Sequence, residues 1–192
     1  WQRERGAVLV HAFEDARTAA GQGTLALELL EQCERPALVL VPVGGGGLLA
    51  GVATALKARV PDVEIVAVQP EASPAFAESL RQGRALLTYD AGPTLADGLA
   101  GGIGQIGFDH RELVDGVVAV SEGEIEDAIV ALVARDQLLV EASAAVAVAA
   151  VRSGKVALPE RGRAIAILTG ANIDARVLRS LLARRLDTAA GA

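Results

Sequence analysis

Val39-Leu40-Val41-Pro42-Val43-Gly44-Gly45-Gly46-Gly47-Leu48-Leu49-Ala50-Gly51 is the stretch that decides the fold of this chain. Residues 37–43 are almost wholly apolar, the pattern of a parallel strand covered on both faces. Residues 48–59 then have the composition of a helix. A buried strand that runs through a glycine turn into a helix opens a βαβ unit. Four adjacent residues without Cβ let the backbone fold tightly and turn several N–H groups toward one point, beside the positive end of a helix dipole. That arrangement is a phosphate cradle. A glycine turn built for packing alone would need only one or two glycines, and four in a row are costly in unfolded-chain entropy.

Outward from this unit, strand-length apolar runs alternate with longer helical patterns. Residues 7–11 read as a strand and 16–32 as one helix; residues 63–69 read as the strand after the glycine unit, and 74–82 as a short helix. Residues 83–107 are rich in Gly, Pro, Asp and Thr without a sustained period, a long loop of the kind that usually carries function. Residues 117–120 form a strand, and Ser121 with Glu124 makes a capping box that opens a helix to residue 137. An alanine-rich helix over 141–152, a strand over 164–169 and a closing helix over 172–186 complete the order. The expected fold is α/β, with three layers: a mostly parallel sheet and helices on both faces.

Composition bounds the class. The chain has 192 residues, 52% apolar and 22% charged, which fits a soluble, packed α/β domain. Aromatics make up only 3% and Met is absent, so the core must be built from small aliphatic contacts. A net charge of −6 argues against nucleic-acid or anionic-membrane partners, which need a basic face. The basic cluster of Arg176, Arg179, Arg184 and Arg185 reads as a solvated helix face. Cys33 is the only cysteine, so no internal disulfide is expected and a reducing, cytoplasmic location follows. No run is long and apolar enough to span a bilayer. The chain opens on Trp1 and has no Met, so an upstream segment is expected.

The glycine stretch does not by itself say which phosphate is held. From Gly45 it satisfies the dinucleotide pattern G-x-G-x-x-A, but the acidic residue expected at the end of the next strand is replaced by Gln69-Pro70. A Walker loop fails, because no Lys-Ser or Lys-Thr follows the glycines. An oxidoreductase of the Rossmann kind therefore remains as a weaker alternative.

Six motifs stand in order along the chain: Val10-His11-Ala12-Phe13-Glu14, Ala20-Gly21-Gln22-Gly23-Thr24, the stretch from Pro42 to Leu48, Thr94-Leu95-Ala96-Asp97-Gly98, Val140-Glu141-Ala142 and Leu168-Thr169-Gly170-Ala171-Asn172. Together they resemble threonine dehydratase, serine racemase and related pyridoxal-phosphate enzymes. The resemblance implies the large cofactor domain of the tryptophan-synthase-β-like fold, with residues 1–14 the end of a small domain and its crossover, and residues 15–192 most of the large domain. The implied cofactor is pyridoxal 5′-phosphate. Gly44, Gly45, Gly46, Gly47 and Leu48 would hold its phosphate, Thr169 would sit against the pyridine nitrogen, and Phe13 and Glu141 would line the cofactor. Asp97 and Gly98 would lie near the substrate. A neutral hydroxyl at Thr169 would leave the ring nitrogen largely unprotonated, which favours loss of a β-leaving group. Gln22 to Thr24 would pack their helix against the cofactor domain.

The chain also departs from that family. His11-Ala12-Phe13-Glu14 stands where relatives have a His-Pro-Phe-Asp-like sequence, which loosens a turn. Some relatives bind a divalent cation through carboxylates at the positions of Gln69 and Ala75 and a carbonyl near Ser73; both carboxylates are missing here, so no metal is expected. The Schiff-base lysine with its Ser-Phe-Lys surroundings is absent, and Lys57 and Lys155, the only lysines, read as solvated surface residues. No catalytic residue is therefore expected within this chain.

In complete form the implied activity is a lyase of amino-acid metabolism, an ammonia-lyase that eliminates water from threonine or serine to give a 2-oxo acid. A serine racemase, diaminopropionate lyase or threonine synthase relative is the nearest alternative, and a non-catalytic cofactor-binding fragment is another. Gly101, where racemase-like relatives tend to have serine, leans toward the lyase. The implied partners are a small amino-acid substrate, the N-terminal segment of the same enzyme and further copies in a homo-oligomer. Only a helix and a tail follow Asn172, so no amino-acid-sensing domain is expected there.

Overall fold

The computed structural model describes residues 2–189. Four parallel strands, β1 (Pro36–Pro42), β2 (Glu64–Pro70), β3 (Gly116–Val120) and β4 (Arg163–Ala166), form one sheet in the order β3-β2-β1-β4. The helices are α1 (Gln2–Arg5), α2 (Ala16–Gln22), α3 (Thr24–Gln32), α4 (Gly47–Arg59), α5 (Ala75–Gln82), α6 (Gln105–Asp109), α7 (Glu122–Asp136), α8 (Ala142–Arg152) and α9 (Ala175–Ala189). Short 3₁₀ turns cover Asp97–Leu99 and Arg111–Leu113.

Because strand side chains alternate, each buried strand serves two cores. Leu38, Leu40, Val66 and Val68 point to one face, where α7, α8 and α9 cover them. Val39, Val41, Ile65 and Ala67 point to the other, against α3, α4 and Phe76 of α5. The three-layer α/β expectation is met. Ser121 accepts from the Glu124 N–H at 3.3 Å and Glu124 from the Ser121 N–H at 2.7 Å, the expected capping box.

Several local expectations change. Residues 7–11 are not a strand: no strand among the described residues pairs with them, and Val8, Leu9 and Val10 are exposed. A single unpaired segment cannot satisfy its own N–H and C=O groups as sheet. Instead His11 organises a turn, its Nδ1 accepting from the N–H groups of Phe13 at 3.3 Å and Glu14 at 2.9 Å. The helix expected over 16–32 breaks at Gly23 into α2 and α3, where α4 crosses. The strand over 164–169 is shorter and starts earlier. The closing helix begins at Ala175, because the Asp174 carboxylate accepts from the Arg176 N–H at 2.7 Å.

Gln69 is buried, and its Oε1 accepts from the Ala77 N–H at 3.0 Å. Its side chain is thus spent on the first turn of α5. The basic cluster is not simply solvated either: Arg184 and Arg185 bind Glu126, each at 2.9 Å, and tie α9 to α7.

Candidate functional site

Chain direction places the site. From β1 the chain crosses through α4 to β2 on one side, whereas β4 lies on the other side of β1. In open α/β sheets ligands bind where such connections diverge, at the carboxyl ends of the strands. Leu40 pairs with Ala166, and the next N–H, that of Ile167, donates to the Leu40 carbonyl at 3.1 Å. The segments leaving β1 and β4 therefore run side by side. Between them lies a cleft of about 320 Å³ lined by Gln22, Thr24, Leu48, Leu168 and Thr169 among others.

At the β1 end, the Val43 N–H still donates to Val68 and the Ala50 N–H to Gly46, both at 2.9 Å. The six N–H groups between them, at residues 44–49, have no acceptor among the described residues. Gly46, Gly47 and Leu49 are buried or half-buried. Donors left open at the start of a 13-residue helix are an anion site in waiting. The charges along α4 agree, with no acidic side chain in the first turn and Lys57 and Arg59 in the last.

The glycines have a second use. A Cβ at Gly44 would stand 3.0 Å from Leu99 Cα, at Gly46 2.7 Å from Gly107 Cα, and at Gly47 2.9 Å from Phe13 Cβ; at Gly45 it would strike the Phe13 ring. Gly46 also has φ +87°, in the left-handed region. The side where side chains would project is filled by protein, so the absence of Cβ serves close packing, while the N–H side stays open. Close packing thus uses all four glycines, where it was expected to need only one or two, and the same residues carry the open N–H groups.

Thr169 is exposed in the cleft, and its hydroxyl makes no hydrogen bond within the described residues. The turn after it is fixed by Glu141, whose N–H donates to the Gly170 carbonyl at 3.1 Å and whose Oε2 accepts from the Asn172 N–H at 3.2 Å. Glu141 acts here on backbone, holding the turn that presents Thr169. Asp97 is likewise engaged locally, its Oδ1 accepting from the Gly98 N–H at 2.9 Å. Gly98 backs onto the glycine loop: a Cβ at Gly44 would lie 3.1 Å from its carbonyl oxygen, and its N–H also reaches Ser143 Oγ at 3.1 Å. Phe13 lies against Gly45 and Gly47, with its ring edge-on to His11 at 4.7 Å. Gly104 and Gly107 also pack on the loop, with Glu14 behind Gly104 and Ser143 behind Gly98. Of these the sequence reading names only Glu14, within a motif and without a site role. The Gly102, Gly104, Gly107 spacing is the signal that could have found the two glycines.

Lys155 lies on the surface as expected and Lys57 is half-buried, but both ammonium groups are engaged. Lys57 Nζ donates to the Val63 carbonyl at 2.7 Å and to Asp115 at 2.8 Å. Lys155 Nζ donates to Glu124 at 2.8 Å, Glu71 at 2.9 Å and the Ala119 carbonyl at 3.0 Å. The hydrogen bond to Glu124 holds the Lys155 ammonium above its usual pKa; burial opposes this, and Glu71 helps to outweigh it. A charged, triply bonded ammonium is a poor nucleophile. Among the described residues no cluster of His, Cys, Asp or Glu could hold a metal ion, and no helix is long and apolar enough to cross a membrane.

Residues 1–170 match the family described as pyridoxal-phosphate dependent enzyme. The chain is 43% identical over 192 residues to an L-threonine ammonia-lyase of Geobacter sulfurreducens, covering 98% of this chain and 47% of that protein. It is 37% identical over 172 residues to the catabolic L-threonine dehydratase TdcB of Escherichia coli K12, covering 88% and 52%. Among solved structures, the threonine deaminase of T.th. superposes with a TM-score of 0.84 at 42% identity, covering 90% of this chain and 63% of that one. Maize serine racemase superposes with a TM-score of 0.85 at 35% identity, covering 97% and 58%. The chain spans about half the length of the curated relatives it matches.

Proposed function

Since the chain belongs to the family of pyridoxal-phosphate dependent enzymes, we propose that it is the phosphate-anchoring part of a threonine or serine ammonia-lyase. The observation that carries the reading is the row of open N–H groups at residues 44–49, set at the start of α4. A phosphate monoester supplies the acceptors these donors lack, and the α4 dipole favours its charge. The residues present fit the cofactor: Gly44, Gly45, Gly46, Gly47 and Leu48 would hold its phosphate. Thr169, whose uncommitted hydroxyl shares a cleft with Leu48, would meet the ring nitrogen. When bound, the cofactor supplies an electron-withdrawing ring that eases removal of the substrate Cα proton and loss of the β-hydroxyl.

The chain's own groups bind and orient. Thr169 offers a neutral hydroxyl, which would give the ring nitrogen of a bound cofactor no carboxylate to stabilise a proton on it. Glu141 keeps the Thr169 turn in place through Gly170 and Asn172. The lysine that attaches the cofactor and the base for Cα would come from the part of the relatives' length that this chain does not span. In this reading residues 1–14 end a small domain and residues 15–192 form most of the large one, with a small amino acid as substrate, assembly into a homo-oligomer and a cytoplasmic location.

Gly101 leans toward the lyase only because racemase-like relatives tend to have serine there. Its φ of +111°, with no atom within 4 Å of where its Cβ would be, shows that backbone alone favours glycine in this loop.

The test is Gly46→Ala in the full-length protein. It places a Cβ 2.7 Å from Gly107 Cα at a left-handed φ, so the loop must reshape. Pyridoxal phosphate affinity should fall at least about tenfold, as expected when charged hydrogen bonds are lost, while Gly83→Ala, a left-handed glycine remote from the cleft, should leave it unchanged. Unchanged affinity in Gly46→Ala would refute the assignment.

A further inference from the structure

We propose that Glu14 is a positioning residue for the anion cradle, acting through α6 and the Gly45–Gly46 peptide without touching the ligand. The inference rests on the anion reading of residues 44–49 and adds to it the device that aims one of the donors.

The link is a chain of hydrogen bonds. His11 Nδ1 accepts from the Glu14 N–H at 2.9 Å, which fixes the turn that delivers the Glu14 side chain. Glu14 Oε1 then accepts from the Ile106 N–H at 3.1 Å, in the first turn of α6. The residue before α6, Gly104, packs directly on that carboxylate, since a Cβ there would strike Oε1. Held in this way, the Gly104 N–H donates to the Gly45 carbonyl at 3.0 Å.

That last bond controls a cradle donor. Every described peptide bond is trans, so the C=O of Gly45 and the N–H of Gly46 point in opposite directions across one rigid plane. With the carbonyl tied to Gly104, the Gly46 N–H is turned away from α6. The next plane is tied as well, because the Gly46 carbonyl accepts from Ala50 and so points the Gly47 N–H back along the α4 axis. Gly46 sits between two restrained planes with φ +87° and no side chain to limit it. Without the Gly104 tether, its peptide has little to oppose rotation.

The role is geometric. A carboxylate beside an anion site repels the anion, so any contribution of Glu14 charge to binding is unfavourable. An uncharged acceptor of the same length should therefore serve equally well.

The experiment uses the full-length protein, labelled with 15N at glycine and titrated with inorganic phosphate. Glu14→Ala should raise the phosphate Kd about tenfold, the scale of one lost orienting hydrogen bond to a charged group, shrink the phosphate-induced shift of the Gly46 amide, and speed hydrogen exchange at the Gly104 amide. Glu14→Gln should restore all three. A merely structural role would lower the melting temperature in Glu14→Ala yet leave the Gly46 response and Kd as in the unmodified protein, and that outcome overturns the proposal. Loss of binding in Glu14→Gln as severe as in Glu14→Ala overturns it too, because charge would then be the agent. If Glu14→Ala does not fold, Ile106→Pro removes the same N–H while keeping the carboxylate, and must reproduce the tenfold loss. If the unmodified protein shows no phosphate response at Gly46 and Gly47 while Gly104 is protected, the anion reading itself fails; a response there without dependence on Glu14 fails only this inference.

Discussion

The Ile167 N–H donates to the Leu40 carbonyl at 3.1 Å, one residue beyond the last paired residue of β4. That bond keeps the chain beside β1 long enough to set Thr169 in the same cleft as Leu48, the first residue after the four glycines. If Thr169 supports the cofactor ring through a neutral hydroxyl, Thr169→Val should weaken pyridoxal phosphate binding by about 0.5–1.5 kcal/mol. Thr169→Ser should restore it. Equilibrium dialysis of the full-length protein checks both, and equal affinities in the Val and Ser variants would remove Thr169 from the site.

Gly51 lies under α2 so closely that a Cβ on it would stand 2.7 Å from the Gly23 nitrogen and strike the Ala19 carbonyl oxygen. The neighbours are backbone, which cannot swing aside as a side chain can. Gly51→Ala should destabilise the protein by about 1–3 kcal/mol, read as a lower denaturant midpoint. Gly21→Ala on the same α2, where no atom lies within 4 Å, should not destabilise it.

The same contact explains a boundary that could not be read from the sequence. Residues 16–32 have one helical pattern, and the break at Gly23 is imposed by α4 crossing over it, a tertiary event. The strand expected at 7–11 fails for a related reason: an apolar run such as Val8-Leu9-Val10 says what could pair, while pairing depends on a neighbour. By contrast, the glycine turn and the Ser121–Glu124 box are local chemistry, and both were legible. In the site, the open N–H groups followed from four glycines and a helix start. Of the residues filling the Cβ side, Phe13 stands in a quoted motif and Gly107 in a run of spaced glycines, but that they and Leu99 close on the glycine loop is a tertiary event with no mark in the loop's own sequence. Glu141 and Asp97 were legible as acids near the site, but their use on backbone N–H groups was not.

Lys155 joins three elements, with Glu71 after β2, the Ala119 carbonyl in β3 and Glu124 in α7. Burial works to raise the Glu124 carboxyl, but the hydrogen bonds from Lys155 and the Ser121 N–H outweigh it and hold the pKa below the usual 4.5. Lys155 is held above the usual 10.5. A depressed carboxylate contributes stability above its unfolded pKa and loses it as pH falls through the folded value. A raised ammonium contributes below its unfolded pKa and loses it as pH rises through the folded value. Lys155→Met should therefore cost most between about pH 4.5 and 10.5, by about 1 kcal/mol or less, because both side chains are partly exposed. Thermal melts across that range should show the difference from the unmodified protein shrinking at both ends.

The last prediction concerns the two lysines as chemical groups. Attaching the cofactor aldehyde requires an unprotonated amine free to reach it, and a protonated, hydrogen-bonded ammonium meets neither condition. Lys57 is bound to Asp115 and the Val63 carbonyl, and its side chain is only 19% exposed. Lys155 carries three acceptors, and its partners stabilise the charged form. The 192-residue chain mixed with pyridoxal phosphate should therefore acquire no borohydride-stable adduct on either lysine beyond the level of an exposed lysine in a control peptide. It should also release no 2-oxo acid from threonine or serine faster than free cofactor does, since loss of a covalent catalyst and of the Cα base together costs on the order of several powers of ten in rate. Phosphate binding at Gly46 and Gly47 is independent of both lysines and should survive Lys57→Met and Lys155→Met. Peptide mapping after reduction separates the cases: a stoichiometric adduct on Lys57 or Lys155, with oxo-acid release above background, would make this chain catalytic by itself.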